Sequence, residues 1–326
     1  MNADAVFEGG GVKGLAFIGA VQVMEEHGYR WQKLAGTSAG SIIASLLSAG
    51  YSGLELYKIF SQFDYESLVD RRGWRSIPLL GPLWALLTQK GIYPGQPLER
   101  FVDELLRRKG IRTFGDLPPD KLKIIVSDIS EYRMLVLPDD LVHFQLNPAT
   151  FSIARAVRMS SAMPYFFQPV QLRNAATKKV HYLVDGGLLS NFPVWLFDEE
   201  QPRWPTFGFR LSAPPPGEQT PAGIMDEERE KQITGLLSYS KALIVTMLEA
   251  HDRLHVKNAE AVRTIFIPTK GIRTTQFRLT PQMREHIYRS GRAAAEQFLR
   301  QWDYTHYLTT FRRANAAPPD QKKSGC

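Results

Sequence analysis

Residues 33–49 read KLAGTSAGSIIASLLSA: a short apolar run, a turn of small residues around Ser38, then apolar residues at helical spacing. Ile42, Ile43, Leu46 and Leu47 share one helical face, and Gly50 follows as a stop. The segment therefore reads as strand, tight turn and helix, with Ser38 at the corner inside Gly36-x-Ser38-x-Gly40. In that setting the pattern is a nucleophile elbow. The serine projects from a strained turn, and glycines two residues before and two after let strand and helix approach without side-chain collision. The same string in a loop would be a weak signal; the strand-then-helix context is what gives it weight.

The preceding unit, residues 5–21, reads AVFEGGGVKGLAFIGAV. It predicts a strand over 5–7, a glycine corner, and a helix from 12 to about 27 that buries Leu15, Ile18 and Val21 and stops at Gly28. Backbone N–H groups at such a corner suit an anion. A Walker loop needs G-x-x-x-x-G-K-[ST], whereas Lys13 here stands between Val12 and Gly14. Gly9-x-Gly11-x-x-Gly14 matches a dinucleotide fingerprint literally, yet the acidic residue expected after the next strand is replaced by the serine elbow. The third use is an oxyanion hole, with the N–H groups of Gly10, Gly11 and Val12 facing the serine on the neighbouring strand. Only this use accounts for both turns together.

A serine hydroxyl needs a base. None of the seven histidines stands in a strand-end loop that reads as a triad member. The stronger candidate is Asp185 in YLVDGGLLSNFP (182–193), just past an apolar strand and followed by Gly186 and Gly187. A strand-end aspartate is also a common turn former.

Elsewhere, apolar strands alternate with helical patterns, which predicts an α/β class with a mainly parallel central sheet flanked by helices. Helices are expected over 54–68, 97–108, 225–253 and 280–302, and strands over 121–129, 133–138, 181–185, 206–211 and 264–268. Residues 212–223 form a Pro/Gly-rich loop, and no internal repeat is present. A strand returning at 264–268 predicts one domain over 1–312, followed by a disordered polar tail over 313–326.

The chain has 326 residues, 44% hydrophobic and 22% charged, and a net charge of +7, which favours anionic partners. Its one cysteine is Cys326, so no intramolecular disulfide and no cysteine nucleophile is available. The N-terminus lacks the pattern of a secretion signal, and no run reaches the length of a membrane span. A cytoplasmic, membrane-peripheral protein is expected. Residues 74–93 are apolar and aromatic between cationic flanks, a lid or anionic-membrane contact through Trp74, Leu83 and Trp84, or a cap over the core. His251 and His255 have helical ligand spacing but no third ligand, so no metal is expected; aromatic residues do not interleave with a basic stripe, so neither is nucleic acid.

EGGGVKG (8–14), GTSAG (36–40) and DGG (185–187), in that order, resemble the oxyanion loop, nucleophile elbow and base motif of the patatin-like phospholipases. IARAVRMSSAMPYFFQPV (153–170) and SNFPV (190–194) resemble the segments around the base, and the likeness runs over 5–193. The resemblance implies a three-layer sandwich without metal or organic cofactor. It also implies a Ser38 nucleophile, an Asp185 base, and oxyanion donors at Gly10, Gly11 and Val12, with Gly9, Lys13, Gly14, Gly36, Gly40, Gly186 and Gly187 in support. The implied activity is hydrolysis of fatty-acyl esters of phospholipids or lysophospholipids through an acyl-serine. An acyltransferase would use the same dyad; a lipid- or nucleotide-binding regulatory module would leave Ser38 unmodified.

Overall fold

The computed structural model describes residues 1–69, 86, 88–211, 258–269, 271–272 and 274–312. Trp74, Leu83 and Trp84, the loop over 212–223, the helix expected over 225–253 with His251 and His255, and the tail over 313–326 lie outside the described residues.

The core is an eight-stranded sheet. Its strands are β1 (Asn2–Phe7), β2 (Arg30–Thr37), β4 (Leu122–Asp128), β5 (Arg133–Leu137), β7 (Val170–Arg173), β8 (Val180–Asp185), β9 (Thr206–Arg210) and β10 (Thr264–Phe266). The order is β10-β9-β1-β2-β4-β8-β7, with β5 paired to β4. From β10 to β4 every pairing is parallel, as expected for strands connected through helices. Beyond β4 the pairings with β5 and β8, and that of β7 with β8, are antiparallel. A separate two-stranded parallel ribbon joins β3 (Gly91–Tyr93) to β6 (Tyr165–Phe167).

Register on β4 explains how distant parts of the chain meet. Ile124 and Ile125 pair with both β2 and β5, so those strands flank opposite edges of β4. Val126 to Asp128 pair with both β5 and β8, so β8 shares the edge that β2 occupies. β2 ends with Thr37 opposite Ile125, and β8 ends with Asp185 opposite Val126. The two strands thus arrive head to head on adjacent residues of one strand.

Helices α1 (Leu15–Glu26), α2 (Ala39–Ser48), α3 (Gly53–Gln62), α4 (Gln96–Arg108), α5 (Ile153–Ser160) and α6 (Pro281–Gln301) flank the sheet. A short 3-10 turn, Gly11–Gly14, precedes α1, where the sequence predicted continuous helix from Val12. Similarly, the helix expected over 54–68 stops at Gln62, because Phe63 is extended, and a 3-10 turn, Tyr65–Val69, follows. α1 and α6 cross closely: a Cβ on Gly19 would stand 2.1 Å from Tyr288 O, and one on Gly291 would stand 1.9 Å from Ala16 O. The C-terminal region, through α6, β9 and β10, is built into the same core as the motif-bearing half.

Candidate active site

Ser38 sits between β2 and α2 with φ 50° and ψ −122°, a region that non-glycine residues visit at a cost. Such strain persists only where the surroundings fix it. Here three fully buried hydroxyls do so. Ser160 Oγ accepts from the Ser38 N–H at 2.9 Å and donates to Ile125 O at 2.6 Å. Ser41 donates to Ser38 O through its N–H at 2.9 Å and its Oγ at 2.6 Å. Thr37 Oγ1 donates to Ser190 O at 3.1 Å. The flanking glycines are obligatory: a Cβ on Gly36 would lie 2.3 Å from Gly40 O, and one on Gly40 would lie 2.3 Å from Phe7 O. The elbow places Ser38 at the N-terminus of α2, where the helix dipole favours developing negative charge.

Asp185 is buried, with 4% of its surface exposed. Its Oδ1 accepts from the Gly187 N–H at 2.9 Å and its own N–H donates to Ala162 O at 3.0 Å, and the Ser38 side chain stands close enough to its carboxyl to favour the ionised form. Burial pushes the Asp185 carboxyl up to about 6, against the opposing effect of the nearby Ser38 side chain and the Gly187 hydrogen bond. A Cβ on Gly186 would lie 3.0 Å from Thr37 Cγ2, so the turn after the aspartate packs directly on the elbow. The histidine on the same strand, His181, is engaged elsewhere: its Nδ1 is 2.8 Å from Asp128 Oδ2.

The glycine corner lies against the nucleophile, since a Cβ on Gly9 would stand 3.2 Å from Ser38 Cβ. Its base is fixed by the Gly9 N–H to Asn191 O bond (3.2 Å) and by Glu8, which pairs with Arg210 at 3.3 Å in the buried interior. Gly11 adopts φ +57°, and Lys13 N–H closes the turn onto Gly10 O at 3.3 Å; Gly14 packs near Ala39, where an added Cβ would lie 3.2 Å from the Ala39 Cβ. Among the described residues the N–H groups of Gly10 and Gly11 donate to no protein acceptor. Val12 differs from expectation. Its N–H donates to Thr274 O at 3.2 Å, so it is not a free oxyanion donor in this structure.

Ser38 lines a cavity that is partly open to solvent. Its walls are apolar, with Ile43, Phe63, Leu98, Phe101 and Phe166 among them and Phe277 stacked on Phe166 at 5.4 Å. Gly11 and Val12 line the same space. Sequence reasoning missed Ser160, Ala162 and Thr274. The first two fall in the segment 153–170, singled out only by likeness; Thr274 falls in a region without a motif.

A family model described as "Patatin-like phospholipase" matches residues 5–198. The chain belongs to the patatin-like phospholipase family. It is 42% identical over 306 residues to the uncharacterized protein YqhO of Bacillus subtilis, covering 93% of this chain and all of that one. It is 24% identical over 194 residues to the "Probable lipid hydrolase 463L" of invertebrate iridescent virus 6, covering 58% of this chain and 61% of that one. Among solved structures, VipD from Legionella pneumophila matches with a TM-score of 0.53 at 22% identity, covering 91% of this chain and 66% of VipD. That likeness is one of fold, a three-layer arrangement of helices on both faces of a central sheet. Among the described residues no helix is long and apolar enough to cross a membrane.

Proposed function

We propose that this chain is a serine lipid acyl hydrolase that cleaves fatty-acyl esters of phospholipids or lysophospholipids through Ser38 and Asp185, as its family and lipid-hydrolase relatives suggest. One observation carries the reading: a strained serine, close enough to a buried carboxyl to lower its pKa, lines an apolar pocket.

As Ser38 Oγ bonds to the ester carbonyl carbon, its proton passes to Asp185 and the carbonyl π electrons move onto oxygen. The N–H groups of Gly10 and Gly11, backed by the α2 N-terminus, stabilise that oxyanion. Collapse breaks the carbon–oxygen bond to the leaving alcohol, which takes the proton back from Asp185. Water then attacks the acyl-serine in the same way, its proton passing through Asp185 to Ser38 Oγ, and fatty acid is released. A carboxyl near 6 is mostly ionised at neutral pH yet far more basic than an ordinary aspartate, as a general base requires.

The experiment is product analysis with phosphatidylcholine and lysophosphatidylcholine vesicles, comparing wild type with Ser38→Ala. Free fatty acid from wild type alone supports the reading. Equal release from both proteins, or none from either, contradicts it.

A further inference from the structure

The turn after α5 touches both members of the dyad. Ser160 holds the Ser38 amide, and Ala162 O accepts from the Asp185 amide. Between them in the chain stands Ser161. The Ser161 backbone is satisfied: its N–H donates to Val157 O at 2.9 Å, and its carbonyl accepts from Met163 N at 2.9 Å. Its hydroxyl is not. Ser161 is 7% exposed, its Oγ is buried, and among the described residues that oxygen has no hydrogen-bond partner. It lines the same apolar cavity as Ser38.

A buried hydroxyl without a partner carries its full desolvation penalty, and an alanine at this position would avoid it. Penalties of this kind are retained where a ligand completes the bond. An acyl chain entering the cavity brings only methylenes to the walls; its polar atoms are those of the ester, which must stand at Ser38 for attack. The donor count points the same way, since Val12 N–H is spent on Thr274 O. We propose that the Ser161 hydroxyl donates a hydrogen bond to the ester group being cleaved, a side-chain contact that joins the backbone donors of Gly10 and Gly11. The inference rests on the acyl-hydrolase reading above, and its test separates the two.

Wild type and Ser161→Ala are titrated to completion with a fluorophosphonate, so that rates are expressed per reactive Ser38. Then kcat/KM for p-nitrophenyl butyrate and the thermal midpoint are measured, with Ser161→Thr as the variant that keeps a hydroxyl. The expected result is a fall in kcat/KM of about tenfold to a hundredfold for Ser161→Ala. Its midpoint should be equal to or above that of wild type, because the alanine removes an unpaired buried hydroxyl, and Ser161→Thr should be more active than Ser161→Ala. A Ser161→Ala rate within twofold of wild type overturns the inference, as does a lost rate accompanied by a lowered midpoint, the signature of a structural hydroxyl. If wild-type Ser38 takes up no label, the acyl-hydrolase reading itself fails.

Discussion

Replacing Asp185 with asparagine should remove activity and raise stability at neutral pH. Burial lifts this carboxyl from 3.8 to about 6 in the folded chain. The ionised form is therefore disfavoured by about 2 pKa units, or roughly 3 kcal/mol at 1.36 kcal/mol per unit. For a raised carboxyl the native state binds the extra proton, so this contribution is fully present below the unfolded value and is lost as pH rises through about 6. Asparagine is neutral throughout, and its Oδ1 can still accept from Gly187. Wild type and Asp185→Asn should have similar unfolding free energies near pH 3.5. By pH 7.5 the variant should be the more stable by about 2–3 kcal/mol. Urea unfolding at a series of pH values reads the gap directly. In parallel, wild-type kcat/KM on a soluble ester should rise tenfold per pH unit below about 6 and then level off, as the base loses its proton. A gap that does not open with pH, or a variant less stable than wild type at pH 7.5, would refute the burial argument.

Two other perturbations follow from the geometry. Ser160→Ala leaves both the Ser38 N–H and Ile125 O without a partner in the interior, at a cost of about 2–4 kcal/mol by urea unfolding; kcat should fall more than KM changes, because the elbow loses its clamp, and an unchanged kcat would argue against that role. Leu98→Trp narrows the apolar cavity, so kcat/KM for a sixteen-carbon p-nitrophenyl ester should drop relative to the four-carbon ester, and an unaltered chain-length profile would move the acyl chain elsewhere.

What was legible in the sequence was local. Gly36, Ser38 and Gly40 sit within one turn, and the glycines of residues 9–11 within another, so spacing alone conveys the close backbone approaches later seen at Gly36 and Gly40. The parallel strands were legible for a similar reason, as apolar runs alternating with helices. β3, β6 and β7 were not, being three or four residues long and set among aromatic residues that suit a core equally well. Nor was the meeting of β2 and β8 on adjacent residues of β4, which depends on strand register across more than a hundred residues. The engagement of Val12 by Thr274 was also hidden, because a backbone carbonyl leaves no residue-type signature. Likewise Ser160 and Ser161 are two adjacent serines in the sequence, and only the packing distinguishes the one that clamps the elbow from the one whose buried hydroxyl is unpaired.

The central claim is that Ser38 becomes acylated with Asp185 as its base. Intact mass and peptide mapping after brief exposure to a fluorophosphonate test it most directly. The account predicts a single adduct on Ser38 that forms rapidly in wild type, at least a hundredfold more slowly in Asp185→Asn, and not at all in Ser38→Ala. An unmodified wild-type chain, or a label of equal rate in Asp185→Asn, would contradict it.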